Sequence, residues 1–342
     1  MSALADRMPA ERISPLLKDP GEVTARDRLE LLCDPGSLQV IRRVEICSRQ
    51  QREVCVWQFT AANDHEAVGL VRELLAHLPQ HAGERPPHGL PAPVPTMDPA
   101  ARVPSSPRQV YDVRDVIRAV VDNAEMLEMS ERWARNMVTA FCRIDGRPVG
   151  VIANQPWYLG GVIDADASQK AAKFVRTCNA YGLPLVVLVD TPGFLPGTKQ
   201  EGLGVIRHGA KLLHAFAEAV VPKVTVVLRK AYGGGFITMN SKDLGADLAL
   251  AWPDAQIGIM GAKQAVGIVH RRDIAAADDP EAERDRLAAD YEAEHVSAAI
   301  AAREGFIDEL VAPGETRRRL AGALAGLSGP GEYGNGGGNI PL

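Results

Sequence analysis

The sequence predicts an α/β protein built on a buried, largely parallel sheet. Short apolar runs such as Pro184–Val189 and Val224–Leu228 are continuous rather than alternating, as in strands covered on both faces. Helical patterns separate these runs, which is the arrangement of α/β folds. The 342 residues are 46% hydrophobic and 24% charged, a globular composition long enough for one large or two ordinary domains.

Charge and cysteine content exclude several function classes. The net charge of −5 lacks the basic surplus that nucleic-acid binding requires. The five cysteines are an odd number without C-x-x-C spacing, so neither a disulfide framework nor a zinc site is indicated. Without a signal-like or membrane-spanning apolar run, the prediction is a cytoplasmic protein with no metal, membrane or nucleic-acid partner.

The N-terminal part reads as short helices and one strand, followed by a proline-rich stretch. A charged helix ends at Asp34-Pro35-Gly36, Arg52–Thr60 alternates like a strand, and Asp64–Pro79 is an amphipathic helix with Asp64 as its cap. Residues 80–107 carry many prolines, which prevent a helix or a sheet ladder and predict an extended linker or strap. We place a domain boundary there.

Beyond the prolines the pattern alternates between helices and strands. A helix from about Asp112 precedes a hairpin, Val138–Ile144 and Pro148–Ala153, whose turn is Asp145-Gly146. The later predicted elements are helices 166–181 and 205–220, strands 184–189, 224–228, 247–251 and 256–260, and a helix from Ala262, with two charged helices after them. The glycine-rich residues 329–342 are predicted to be disordered.

The stretch Lys230–Phe236 is the most informative one for function. Its three consecutive glycines, Gly233 to Gly235, follow an apolar strand and precede a predicted helix. Glycine lets a backbone turn sharply and brings N–H groups close to a ligand, and a helix start adds a positive dipole end. Such a turn suits an oxyanion, although a tight turn without chemistry has the same pattern.

Two further glycine loops follow apolar strands, at residues 154–161 and 190–197. Ligands of open α/β sheets bind at the carboxyl ends of strands, so these loops and the glycine turn are expected at one edge. No nucleophile motif is present: we interpret Ser241 and His208 as polar residues of helix surfaces, and Asp190 as a turn or cap residue more than a base.

Taken together, the motifs resemble a known family. The pattern D-x-P-G-F-x-P-G at 190–197, R-x-G-A-K at 207–211 and A-Y-G-G-x-[YF] at 231–236 resembles the carboxyltransferase (beta) subunit of biotin-dependent acyl-CoA carboxylases of the acetyl- and propionyl-CoA type. The resemblance covers roughly 111–327. It implies a crotonase-like (ClpP/crotonase) spiral of ββα units, with one complete domain at 108–328.

The resemblance also implies roles for individual residues. The amides of Gly234 and Gly235 correspond to the oxyanion pair for the biotin ureido oxygen, although Gly235 stands where the family usually has alanine. The remaining predicted substrate- and biotin-binding residues are Tyr232, Gly233, Phe236, Phe194, Leu195, Pro196, Gly197, Leu159, Gly160 and Gly161.

The N-terminal part resembles the family only in pieces. Residues 24–37 and 64–87 are similar to the first and last helices of the family's N-terminal crotonase domain. Between them only about Gln39–Ala62 remains, without the S-G-G-A-R-I-Q-E-G type of motif that holds the acyl-CoA enolate. Residues 1–79 are therefore predicted to be a truncated N-terminal remnant, and 80–107 the linker.

Three hypotheses follow from this resemblance. The first is carboxyl transfer between carboxybiotin on a separate carrier protein and the α-carbon of an acyl-CoA thioester. The second is a biotin-independent decarboxylase or a related acyl-thioester enzyme. The third is a non-catalytic partner of a full-length carboxyltransferase. A homo-oligomer, or pairing with a paralogue, is expected in each case because the family buries a broad face between subunits.

Overall fold

The computed structural model describes residues 58–327 apart from 82, 94, 107 and 108. The predicted helix that ends at residues 34–36, most of the predicted strand Arg52–Thr60 and the glycine-rich tail lie outside these residues. So do three of the cysteines. The two cysteines within the described part, Cys142 and Cys178, are buried free thiols.

The described residues form a mixed sheet whose central strands are parallel, as predicted. The strands are β1 Leu127–Glu128, β2 Met137–Ile144, β3 Arg147–Asn154, β4 Leu185–Thr191, β5 Lys223–Tyr232, β6 Leu248–Ala251, β7 Gln256–Gly258 and β8 Glu309–Leu310. Their order in the sheet is β1-β2-β3-β4-β5-β6-β8, with β7 paired to β5. The pairs β1–β2 and β2–β3 are antiparallel, and the pairs from β3 to β8 are parallel.

Helices follow the strands in the alternating order that the sequence predicts. They are α1 Asp64–Leu75, α2 Val113–Val120, α3 Ala165–Ala180, α4 Thr198–Gly202, α5 Val205–Glu218, α6 Gly233–Thr238, α7 Ala262–Val269, α8 Arg271–Ala276, α9 Pro280–Tyr291, α10 Ala298–Arg303 and α11 Thr316–Leu327. A one-turn π-helix, Glu292–Val296, joins α9 to the segment before α10.

The sheet is covered on both faces, which explains the continuous apolar strands. Along β4, Val187 and Val189 face a core that includes α3 and α5. Val186 and Leu188 face a second core that includes α2 and α11. Every residue of β4 is buried, so a strand with an alternating polar face would leave unpaired polar groups inside the protein.

Several boundaries differ from the predictions. Strand β5 runs on to Tyr232 because Lys230–Tyr232 pair with β7, so the turn itself begins at Gly233. The cap of α1 is Asn63, whose side chain accepts from the N–H of Glu66, rather than Asp64. Residues 58–60 have no strand. The pattern of apolar residues does not specify which strand pairs with which or which residue caps a helix, so the ends of elements are predicted less well.

The proline-rich stretch lies against the sheet as a strap rather than hanging free. The N–H of Gly89 donates to the Gly146 carbonyl at 2.8 Å. Arg143 donates to the carbonyls of Pro87 at 2.9 Å and Ala76 at 2.6 Å. The hairpin therefore fixes the strap and the end of α1 together. The division of the chain into domains at this stretch stays a prediction.

The described part of the chain has neither a membrane-spanning helix nor a cluster of metal-binding side chains. None of its helices is long and apolar enough to cross a membrane. Within residues 58–327, no group of three or more His, Cys, Asp or Glu residues is arranged to hold a metal ion.

Candidate functional site

The three glycine loops meet at the carboxyl edge of β3, β4 and β5, as predicted. Backbone hydrogen bonds join the first two loops: Ile163 N–H donates to the Gly193 carbonyl at 2.9 Å, and Leu195 N–H donates to the Ile163 carbonyl at 2.8 Å. The ends of β4 and β5 pair through Thr191 and Ala231, which brings the third loop, the glycine turn, alongside. Parallel strands ending together thus build the site.

The glycine turn links β5 to α6. Gly233 has φ +54°, a left-handed conformation that glycine adopts without strain. Gly233, Gly234 and Gly235 form the first turn of α6, where N–H groups have no partner within the helix. No hydrogen bond donated by the Gly234 amide is found in the described part of the chain. Gly234 is exposed and Gly235 is buried, so the exposed amide is accessible to a ligand.

The loop at 190–197 packs directly on the glycine turn. A Cβ on Gly235 would lie 2.8 Å from Gly193 Cα, closer than real Cβ contacts allow. A Cβ on Gly234 would lie 3.6 Å from the Phe194 ring, an ordinary contact. Phe194 therefore provides an apolar surface beside the exposed Gly234 amide. Glycine is needed at position 235 because the backbone of Gly193 lies against it.

The same close packing joins the first loop to the second. A Cβ on Gly161 would lie 2.4 Å from the Asp190 carbonyl oxygen. By contrast, a Cβ on Gly160 or Gly197 would meet nothing within 4 Å, although both have positive φ. Gly160 and Gly197 therefore lie away from the contact between the loops.

The predicted site residues thus divide into a packed centre and an exposed rim. Leu159 is 61% exposed, and Pro196 and Gly197 are also exposed. The half-buried members, which lie between centre and rim, are Tyr232, Gly233, Phe236, Phe194, Leu195 and Gly160. The structure places Gly161 against Asp190, at the start of the second loop, and Phe194 and Gly193 of that loop against Gly234 and Gly235, while their roles toward a substrate stay predictions.

A buried ion cluster supports the two neighbouring strand ends. The Asp190 side chain is fully buried, and its Oδ2 accepts from Arg229 Nε at 3.1 Å. Its Oδ1 lies 3.7 Å from Lys230 Nζ. Burial raises the pKa of Asp190, while the charges of Lys230 and Arg229 oppose this shift; burial lowers the pKa of Lys230. Asp190 therefore serves to hold β4 and β5 together.

Arg229 also holds the strap. Its Nη1 donates to the carbonyls of Ser106 at 3.0 Å and Gln109 at 2.8 Å. The guanidinium lies over the Tyr111 ring, 5.0 Å from its centroid. This role of Arg229 was not predicted from the sequence. The available signal was a pair of cations, Arg229 and Lys230, inside an otherwise apolar strand, since buried charges require partners.

Two polar residues are placed differently from the prediction. His208 and Ser241 were expected on helix surfaces, yet both are buried, at 8% and 1% exposure. Ser241 Oγ accepts from the Leu244 N–H and caps a short 3₁₀ turn. Burial lowers the pKa of His208. Helical spacing alone does not show that α5 packs against α3, and Ser241 follows α6 instead of lying on a helix.

The tight contact at Gly235 leads to a first prediction. Replacing Gly235 by alanine is expected to destabilise the protein by about 1–3 kcal/mol, because the added methyl group must displace the backbone of Gly193. The matched control is Gly234→Ala, whose methyl group has room beside Phe194. Urea unfolding of both variants measures the difference. Equal midpoints for the two variants would contradict this packing.

Known proteins resemble this chain over the stretch that contains the candidate site. Residues 51–328 match the model of the carboxyl transferase domain. The propionyl-CoA carboxylase beta chain of Roseobacter denitrificans is 47% identical over 273 residues, 78% of this chain and 52% of the relative. The methylmalonyl-CoA carboxyltransferase 12S subunit of Propionibacterium freudenreichii is 46% identical over 268 residues, 78% and 51% of the two chains.

A third relative is named for a different reaction, decarboxylation. The methylmalonyl-CoA decarboxylase subunit alpha of Propionigenium modestum is 42% identical over 292 residues, which are 83% of this chain and 56% of the relative. The chain therefore spans about half the length of the curated relatives that it matches.

Solved structures confirm the predicted crotonase-like α/β fold. The transcarboxylase 12S structure with methylmalonyl-coenzyme A bound, a hexamer by its description, matches with a TM-score of 0.77 and 44% identity over 83% of this chain and 56% of that one. The beta subunit of the P. aeruginosa geranyl-CoA carboxylase matches with a TM-score of 0.63 and 28% identity over 83% and 55%. On this evidence the chain belongs to the carboxyl transferase domain family.

Proposed function

We propose that this chain provides the biotin-side half of a carboxyltransferase that acts on acyl-CoA thioesters. The observation that carries the proposal is the exposed Gly234 amide, free of hydrogen bonds in the described part of the chain and walled by Phe194, within a stretch matched by carboxyltransferase relatives. In that reaction CO2 moves between the group that carries it and the α-carbon of the acyl chain.

The residues of the site fit biotin held on a separate carrier protein. Biotin presents a ureido oxygen, and an N–H group in a glycine turn can bind an oxygen on which negative charge develops. Gly234 and Gly235 would supply these donors, and Phe194 an apolar surface beside them. Bound biotin supplies or receives the carboxyl group. The chain's own residues position the oxygen and stabilise its charge.

The acyl-CoA half of the reaction needs a surface that we propose comes from another subunit. Large apolar side chains next to the glycine turn are exposed, among them Ile259 at 80% and Ile237 of α6 at 45%. Ile259 adjoins the turn, since its carbonyl would lie 3.0 Å from a Cβ on Gly233. Exposed apolar side chains of this size favour association with a second copy or a carboxyltransferase paralogue.

A second candidate is decarboxylation without biotin, in which the amides would stabilise the enolate left when a malonyl-type thioester loses CO2. The 42% identity to a methylmalonyl-CoA decarboxylase subunit favours testing it. A non-catalytic role is a weaker candidate, because a scaffold does not need the unpaired Gly234 amide of a three-glycine turn.

One assay separates these candidates. Purified protein is incubated with malonyl-CoA or methylmalonyl-CoA, with and without free biotin, and the products are measured by mass spectrometry. We expect loss of CO2 from the thioester only when biotin is present. Equal turnover without biotin would show decarboxylation instead. No turnover by the chain itself, and none beyond that of a full-length carboxyltransferase subunit when the two are mixed, would indicate the scaffold. A Gly234→Pro preparation controls for contaminating enzymes of the expression host.

A further inference from the structure

Tyr232 connects the sheet to the glycine turn and so decides how the turn begins. It is the last residue of β5 and the N-cap of α6, with extended backbone angles of φ −113° and ψ 142°. Its side chain makes no capping hydrogen bond. The direction of the amides that follow therefore depends on how Tyr232 is held, by the pairing of its backbone with Gly258 of β7 and by the contacts of its ring.

A chain of two hydrogen bonds holds the Tyr232 ring. Its hydroxyl donates to Gln256 Oε1. Gln256 Nε2 in turn donates to Glu292 Oε1 at 2.5 Å. On the parallel pair β5–β7, Gln256 lies opposite Lys230 and Gly258 lies opposite Tyr232. Gln256 and Tyr232 are thus two positions apart along the pairing and share one face of the sheet.

Glu292 determines which group donates in each of these two hydrogen bonds. An ionised carboxylate only accepts hydrogen bonds, so the Gln256 amide must present its NH2 group to Glu292 and its oxygen to Tyr232. The Tyr232 hydroxyl is left with one role, that of donor. Burial and then the charge of Glu292 raise the pKa of Tyr232 to about 12, so this proton is retained at neutral pH.

Glu292 itself is firmly placed. It opens the π-helix Glu292–Val296, and its carbonyl accepts from the Ser297 N–H at 3.1 Å. Ser297 forms a bridge to Gln256, and the Ala298 N–H donates to the Ala255 carbonyl at 2.9 Å. Single π-turns within helical segments occur frequently at functional sites. Here the π-turn presents a carboxylate to the strand that pairs with the end of β5.

We propose that Gln256 and Glu292 are positioning residues that orient the glycine turn through Tyr232. They contact no substrate in this proposal. They act by fixing the ring of the residue from which the turn starts, so that the amides of Gly234 and Gly235 keep one direction. This inference rests on the proposed function for its catalytic consequence, while the conformation of the turn can be measured without any activity.

The test is amide hydrogen exchange by mass spectrometry on peptides that cover residues 232–240. Tyr232→Phe removes only the hydroxyl, Glu292→Ala removes the acceptor, and Glu292→Gln keeps an acceptor oxygen. The matched control is Glu294→Ala, in the same π-turn, because the Glu294 side chain is 75% exposed and faces His295. We expect at least about tenfold faster exchange in the first two variants and unchanged exchange in the last two.

The kinetic consequence gives a second measurement. Where the wild type turns over, Tyr232→Phe and Glu292→Ala are expected to lower kcat by about 10- to 100-fold with KM unchanged, because misplacing a group by roughly 1 Å has that effect. The double variant should be no slower than the slower single one. Glu292→Gln should restore most of the rate, which a loss of general stability would not explain.

The outcomes separate this inference from the proposed function. Unchanged exchange at 232–240 in both Tyr232→Phe and Glu292→Ala would overturn the positioning role, whatever the activity. If exchange rises as expected but the wild type transfers no carboxyl group, the proposed function fails and the positioning role stands. Should Glu292→Ala not fold, Tyr232→Phe alone decides.

Discussion

Replacing Gly234 by proline is expected to lower the rate of carboxyl transfer by about 10²–10³-fold. Proline has no N–H, and the loss of one preorganised oxyanion donor has an effect of that size. The fold should survive, because Gly234 lies in the first turn of α6, where proline removes no helical hydrogen bond. The measurement is kcat in the biotin-dependent assay, with circular dichroism and thermal unfolding to confirm the folded state.

The control for this prediction is Gly234→Ala, which adds a methyl group in ordinary contact with Phe194 and keeps the amide. The alanine variant should retain far more activity than the proline variant. A folded proline variant with full activity would show that the glycine turn is not the oxyanion site. The site would then have to be sought among the other two loops.

Replacing Arg229 by methionine is expected to lower the free energy of unfolding by about 3–5 kcal/mol, the usual effect of removing one partner of a buried ion pair. The Asp190 side chain is 0% exposed and would lose its hydrogen bond from Arg229, although the charge of Lys230 remains 3.7 Å away. The carbonyls of Ser106 and Gln109 would also lose their donor. Thermal unfolding measures this effect, at about 2–4 °C per kcal/mol.

Two further variants make this second prediction specific. Arg303→Met breaks an exposed pair with Glu304, whose side chains are 67% and 53% exposed, and should leave Tm almost unchanged. Asp190→Asn alone leaves both Arg229 and Lys230 without their carboxylate and should also lower the free energy of unfolding. Equal Tm values for the Arg229 and Arg303 variants would contradict a supporting role for the ion cluster.

Much of the candidate site was predictable because its signals are local. Glycines after apolar strands indicate where the chain turns, and parallel strands put such turns at one edge. The loops at 154–161 and 190–197 and the glycine turn do meet there. What the pattern could not show is which glycines touch: Gly161 and Gly235 lie under backbone, whereas Gly160 and Gly197 meet nothing within 4 Å.

The residues that support the site were not predictable in the same way. Gln256 and Glu292 are separated by 36 residues, and Arg229 and Ser106 by 123. Hydrogen bonds between such residues depend on distance and angle in the folded chain. No pattern in the sequence indicates which polar residues will form hydrogen bonds with each other. Tyr232 was predicted to bind substrate, and only its contacts show how it is held.

The sequence by itself determined the α/β class, the alternation of elements and the family resemblance, because apolar runs and glycine positions reflect the burial of each strand and the shape of each turn. The tertiary structure alone decided three things. It extended β5 to Tyr232 by pairing it with β7, buried Asp190 between two cations, and linked Tyr232 to Glu292 through Gln256. Each depends on groups that become neighbours only when the chain has folded.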